Sequence, residues 1–257
     1  MVSGQLKSET PRITPLGPDS LVTGHQPLTT AVKAIGFFGG TFAPIHNGHL
    51  RLAIELRDLL GLDCVHLTPS ARPPHRAAPG VSAERRLEWA RLGVGDEPGL
   101  IVDDRELRRA RAQQHPSYTF DTLAALKAEA PATRLHLLLG DDAANRLHTW
   151  HRWRELFDLA HIVVVQRPHP ADVPATELAE FLHDRTVASV EALSRQSAGL
   201  WLPVSLPPLA ISATRIRALL QAGRSVRGLV PEAVIRSLTS EDVRALTIDE
   251  DKDPAHD

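Results

Sequence analysis

The run Gly39-Gly40-Thr41-Phe42-Ala43-Pro44-Ile45-His46-Asn47-Gly48-His49-Leu50 decides how this chain reads. An apolar stretch, Val32 to Phe38, leads into it, and an amphipathic helical pattern, Asn47 to Leu60, begins inside it. Paired glycines let backbone N–H groups come close to an anion, and a helix start adds unpaired donors and the positive end of a dipole, so phosphate is the natural guest. His46 and His49 stand three apart, which on a first helical turn sets both imidazoles on one side, where they can donate to phosphate oxygens. As an isolated pair they would more often be surface residues beside a turn; strand, glycines and helix start together shift the reading. A metal site needs a third ligand and finds no nearby Cys or carboxylate, and the G-x-G-x-x-G spacing of a dinucleotide-binding oxidoreductase is absent.

Outward from this loop, short apolar runs alternate with helical patterns. Val32 to Phe38, Cys64 to Leu67, Arg134 to Leu139, His161 to Val165 and Leu200 to Val204 read as strands; Asn47 to Leu60, Ser82 to Leu92, Tyr118 to Glu129, Ala175 to Leu182 and Ser212 to Gln221 read as helices. The alternation predicts an α/β, Rossmann-like, doubly wound and mostly parallel sheet with helices on both faces, and such sheets bind ligands beyond the carboxyl ends of their strands. Residues 1–30, rich in Pro, Gly, Ser and Thr, read as a disordered extension, 31–245 as one domain, and 246–257 as an acidic disordered tail.

The 257 residues are 42% apolar, enough for one sizeable core, and the net charge of −2 supplies no basic field for long nucleic acid. The single Cys64 rules out an intramolecular disulfide framework and a multi-Cys zinc site, and fits a reducing compartment. With no spanning run and no apolar signal segment in the first thirty residues, the expected location is cytoplasmic, with no membrane partner. A homo-oligomer is left open.

Near the other end, Leu209-Ala210-Ile211-Ser212-Ala213-Thr214-Arg215-Ile216-Arg217 sets a Ser at an N-cap position with Arg in the first turn of a helix. Arg opposes the dipole there unless an anion is held as well; an ordinary capped helix with solvated arginines is the plainer alternative.

Together these runs resemble the nucleotidyltransferase superfamily that carries an HxGH motif, and within it the bacterial nicotinate-nucleotide adenylyltransferases. Gly39 to Leu50 resembles the GGTFDPIHxGHL signature, and Ile211 to Arg217 the ISSTxIR motif. The resemblance implies in-line attack of a mononucleotide phosphate on the α-phosphorus of ATP, giving nicotinate adenine dinucleotide and pyrophosphate, with His46, His49 and Arg217 as the catalytic groups. The implied ATP site adds Gly39, Gly40, Thr41, Phe42, Gly140, Asp142, Ile211, Ser212 and Thr214. One position departs from the signature: Ala43 stands where the family has Asp, which removes a carboxylate from the ATP loop.

Three further segments resemble the nicotinate branch. Pro69 to Arg76 resembles a loop ending in PPHK or PPHR. Asp104-Arg105-Glu106-Leu107 with Pro116-Ser117-Tyr118-Thr119 resembles the ERE and SYT elements. Leu137 to Asp142 followed by His148-Thr149-Trp150-His151 resembles a GxD element and a TW pair. By that match Arg76, Thr119, Trp150, His151 and Arg167 face the acceptor, nicotinate mononucleotide; a rigid turn, a capped helix, a core Trp and a surface Arg are the structural alternatives. Mg²⁺ is expected to arrive with ATP rather than in a protein cage, so no metal ligands are assigned. Phosphopantetheine adenylyl transfer, and a non-catalytic nucleotide sensor in which Ala43 marks a decayed site, are the other functional readings.

Overall fold

The computed structural model describes residues 33–72, 80–112, 116–166, 174–207 and 209–247. Arg76 and Arg167, the segment read as a disordered extension, and most of the acidic tail lie outside them.

Six strands form one parallel sheet: β1 (Ala34–Gly40), β2 (Cys64–Pro69), β3 (Leu100–Val102), β4 (Arg134–Gly140), β5 (His161–Gln166) and β6 (Trp201–Ser205). Their order is β3-β2-β1-β4-β5-β6, so the chain reverses its direction of travel across the sheet between β1 and β4, and a crevice opens there at the carboxyl ends. The helices are α1 (Asn47–Leu60), α2 (Ala83–Val94), α3 (Arg105–Ala112), α4 (Thr119–Glu129), α5 (Asp141–Ala144), α6 (Leu156–Leu159), α7 (Thr176–Leu182), α8 (Val190–Leu193), α9 (Ala213–Gln221), α10 (Glu232–Ser237) and α11 (Ser240–Thr247). None is long and apolar enough to cross a membrane.

Alternate strand residues feed two cores, one on each face. Phe38, Leu138, Val163 and Val165 join Leu56, Trp89, Ile216, Val234 and Leu246 on the face covered by α1, α2 and α9 to α11. Phe37, Leu137, Leu139 and Val164 join Leu123, Leu156 and Leu178 on the face covered by α4, α6 and α7. A strand buried on both sides must be largely apolar at consecutive positions, which is why β5, and β4 apart from His136, read as apolar runs. α1 ends where Gly61 turns left-handed at φ 61 and Leu62 N–H donates to Arg57 O at 2.9 Å.

Several boundaries differ from the sequence reading. β1 extends to Gly40, pairing Gly39 with Thr68 and Gly40 with Pro69, so both glycines are strand end rather than turn and the turn starts at Thr41. β3, three residues long, carries too little pattern to be seen. α3 reads RELRRARA, with Leu107 its one large apolar side chain; side-chain bonds such as Arg108 to Asp104 at 2.8 Å and Arg105 to Glu129 at 3.0 Å help to hold it. α11 continues to Thr247 and buries Leu246, which takes the segment read as tail two residues back into the fold.

Candidate active site

α1 opens with a capping box made entirely of histidine. His46 is the N-cap and His49 the third residue of the helix; His46 Nδ1 accepts from His49 N–H, and His49 Nδ1 accepts from His46 N–H, each at 3.3 Å. Two consequences follow from one arrangement. The rings stack, centroids 3.5 Å apart at 17°. With each Nδ1 accepting, a neutral ring carries its proton on Nε2, so both imidazoles keep a donor away from the backbone. Burial pushes the His46 pKa down to about 4, and burial together with the neighbouring His46 holds His49 well below the usual range. At neutral pH the pair is uncharged, a donor set suited to phosphate oxygens and free of mutual charge repulsion.

Packing fixes these rings. Phe42 is buried and meets His49 edge-on at 5.0 Å and Phe38 edge-on at 5.8 Å. It does so from a left-handed backbone, φ 49, a strained region for a bulky side chain. Glycine is required beside it: a Cβ on Gly40 would lie 2.8 Å from the Phe42 ring. Gly48 is required for a different reason, since a Cβ there would stand 3.0 Å from His46 Nδ1 and 3.4 Å from Ile211.

That last contact shows how the two ends of the chain meet. Ser212 caps α9, its Oγ accepting from Arg215 N–H at 3.2 Å. Arg217 Nη1 donates to Ala43 O at 3.3 Å and Nη2 to Thr214 Oγ1 at 3.3 Å. Arg217, with Thr214 bonded to it, and Ile211 thus lie against the loop that holds Gly39 to His49, which brings the start of α9 to the start of α1. Gly140 ends β4 beside β1; Asp142 is exposed, its N–H bonded to Asp141 Oδ1 at 2.9 Å.

The expected acceptor residues gather on the β4 side. Tyr118 stacks on His151 at 4.3 Å, which sets Thr119 beside the segment carrying Trp150. Trp150 is half-buried against the core, while Trp153 is fully part of it. Ser117 does not cap α4; Tyr118 occupies the cap position without a side-chain bond. Instead Ser117 N–H donates to Arg72 O at 3.1 Å and its Oγ accepts from Arg72 N–H at 3.4 Å, tying this segment to the loop after β2.

Two buried charged residues beneath these loops were not singled out for a role by sequence. Glu106 on α3 is buried, accepts from Thr122 Oγ1 at 3.1 Å, and burial pushes its carboxyl up. Arg86 on α2 is 1% exposed and donates to carbonyls of both loops. Nothing in an amphipathic pattern marks Arg86, because helix periodicity assigns its position to the core without saying what a guanidinium meets there.

Comparison with known proteins agrees with this geometry. Residues 37–219 match the cytidylyltransferase-like family model. The chain is 52% identical over 206 residues to a probable nicotinate-nucleotide adenylyltransferase of Chromohalobacter salexigens, a match covering 79% of this chain and 92% of that one. It is 49% identical over 209 residues to the counterpart from Pseudomonas syringae pv. tomato, covering 81% and 92%. Among solved structures, Plasmodium falciparum nicotinic acid mononucleotide adenylyltransferase complexed with NaAD superposes with a TM-score of 0.58 at 15% identity, over 79% of this chain and 93% of that one, a likeness of fold.

Proposed function

The chain belongs to the cytidylyltransferase-like family, and within it to the nicotinate-nucleotide adenylyltransferases, and from that membership we propose that it transfers AMP from ATP to nicotinate mononucleotide. The observation that carries the assignment to this site is the histidine capping box facing the N-terminus of α9. A phosphate oxygen of the mononucleotide attacks the α-phosphorus of ATP in line; the new P–O bond completes the dinucleotide as the bond to the β-phosphate breaks and pyrophosphate leaves. The attacking group is already anionic, so no general base is needed, and the chain's task is placement and charge stabilisation.

In this reading His46 and His49 donate through Nε2–H to the reacting phosphates, and Arg217, Ser212, Thr214, Ile211 and the backbone at the start of α9 hold the departing pyrophosphate. Gly39, Gly40, Thr41 and Phe42 shape the nucleotide's floor, with Gly140 and Asp142 at its rim. Thr119, Trp150 and His151 receive the pyridine end; Arg76 and Arg167 keep their assignment by family resemblance alone. The described residues contain no cluster of three metal-ligating groups, and position 43 is Ala. Mg²⁺ carried in on the triphosphate would neutralise phosphate charge there.

The test supplies Mg-ATP with nicotinate mononucleotide, nicotinamide mononucleotide or phosphopantetheine in separate reactions and follows pyrophosphate and product mass. Nicotinate adenine dinucleotide as the fastest product, lost in His49→Ala, is the expected result. Turnover with phosphopantetheine alone would overturn the acceptor assignment; ATP binding without any product would overturn the activity and return the chain to a sensor.

A further inference from the structure

We infer that Arg86 is a positioning residue for adenylyl transfer, setting the spacing between the loop that follows β1 and the loop that follows β2. The inference rests on the reading that ATP occupies the first of these loops and the mononucleotide the second.

The geometry begins with where the sheet stops. β1 and β2 stay in register up to Gly40 opposite Pro69, and Ser70 N–H still donates to Gly40 O at 2.9 Å. Beyond that point no strand ladder joins the two chains. The Arg86 guanidinium takes over: Nη1 donates to Thr41 O at 2.7 Å and Nη2 to Ser70 O at 2.7 Å, with Nε reaching Val81 O at 3.4 Å. A planar fork with fixed angles holds two carbonyls at one separation, which an ammonium on a flexible stem does not do.

The carbonyls it holds matter for the groups on their far side. In a trans peptide the C=O and the following N–H point in opposite directions, so holding Thr41 O against Arg86 turns Phe42 N–H the other way. The same bond supports Phe42 in its left-handed conformation, and Phe42 in turn supports His49. Arg86 is 1% exposed; Glu84 and the buried Glu106 favour its charge without a hydrogen bond to it, and its hydrogen bonds among the described residues go to carbonyls. A buried guanidinium bonded only to carbonyls is an expensive way to fill a core, and a Leu or Met would fill the volume. Its fork lies at the seam of the two loops, bonded to one carbonyl of each. Reaction between two bound substrates depends steeply on the spacing of those loops.

The experiment compares wild type, Arg86→Met and Arg86→Lys. Met keeps the stem and removes the donors; Lys keeps charge and at least one carbonyl bond but cannot span both. Thermal unfolding, kcat and KM for each substrate, and amide hydrogen exchange of segments 40–46 and 69–72 are measured on each. The expected result is a folded Arg86→Met with kcat down about 10²-fold, ATP affinity within about 3-fold of wild type, and faster exchange in both segments. Arg86→Lys is expected to regain most of the lost thermal stability and little of the kcat, a split that a purely structural residue would not give. Folded Arg86→Met with kcat within about 3-fold of wild type and unchanged exchange would overturn the inference. If Arg86→Met does not fold, Arg86→Lys decides by the same criteria. Wild type that makes no dinucleotide would instead overturn the functional reading, while exchange in the variants would still decide whether Arg86 spaces the loops.

Discussion

Two histidine pairs sit on the same sheet and meet opposite fates. His46 and His49 cap α1 beyond the carboxyl end of β1; His136 and His161 face each other across β4 and β5, in register near the strands' amino ends, with ring centroids 5.4 Å apart. Burial lowers the pKa of all four, to about 4 for His46 and His136. His136 bonds Ile35 O through Nδ1 at 3.4 Å; the use of the second ring nitrogen separates His161 from the capping pair. His161 gives both to the backbone, Nδ1 accepting from Leu200 N–H at 3.2 Å and Nε2 donating to Gln196 O at 3.2 Å. The capping pair gives the backbone only Nδ1, which leaves Nε2 for the phosphates of the proposed reaction. Residue type and the lowering of the pKa are shared, so the pairs differ in position, one beyond the carboxyl end of β1 and the other within the sheet.

The widest test of this contrast exchanges the two outcomes. His49→Ala is expected to lower kcat about 10²- to 10³-fold, the size of losing one preorganised donor, while shifting the melting temperature little. His161→Ala is expected to do the reverse. It strips two backbone groups of their partner and opens a cavity at a fully buried site, a loss on the order of 2–4 kcal/mol, with kcat of the folded enzyme unchanged. A His161 variant that lost activity ahead of stability would break the division between the pairs.

A smaller perturbation leaves both pairs in place and presses on one. Gly48→Ala pushes a methyl toward His46 Nδ1 and Ile211, and is expected to lower kcat about 10-fold through misplacement of the ring. Unaltered kinetics would show that the cap tolerates rotation of His46.

Stability against pH sharpens the comparison further. The unfolded pKa of His lies near 6.5. Below it the unfolded chain binds protons that folded His46 and His136 refuse until about pH 4, so stability is lost as pH falls from about 6.5 toward 4. His66 runs the other way: burial lowers it, but the 2.8 Å bond to Asp103 and the neighbouring Cys64 outweigh burial and raise it to about 9. Its contribution is complete below about 6.5 and is lost as pH rises toward 9. The melting temperature is therefore expected to peak near pH 6.5, with a shallower acid limb in His136→Gln and a shallower alkaline limb in His66→Gln. A flat profile across pH 5–9 would show that these rings titrate alike folded and unfolded.

Ser212→Ala carries the smallest expected effect: about 1 kcal/mol of stability from loss of the α9 cap, and a few-fold rise in the KM for ATP. A change in stability alone would remove the start of α9 from the triphosphate's grip.

Much of this was legible before any coordinates. Gly39 to Leu50 announces a strand end, a turn and a helix start, and α1 begins and ends where the pattern places it, because propensity, glycine and cap agree locally. β5, and β4 apart from His136, declare themselves by apolar runs. β3 and α3 did not, since three residues hold too little pattern and an eight-residue helix with four Arg and one large apolar side chain is held partly by ion pairs outside it, such as Arg105 with Glu129 and Arg111 with Glu84.

By itself the sequence determined the fold class, through local periodicity, and the motif toward each end of the chain, whose resemblance to known proteins identified the family. The tertiary structure decided what long-range contact decides. It showed that Gly39 and Gly40 belong to the sheet, that the two histidines lock one another's tautomers, that Arg217 reaches back to the carbonyl of Ala43, and that Arg86 joins two loops after their ladder has ended. Each of these rests on a backbone carbonyl or amide direction, and such directions leave no mark in the order of side chains.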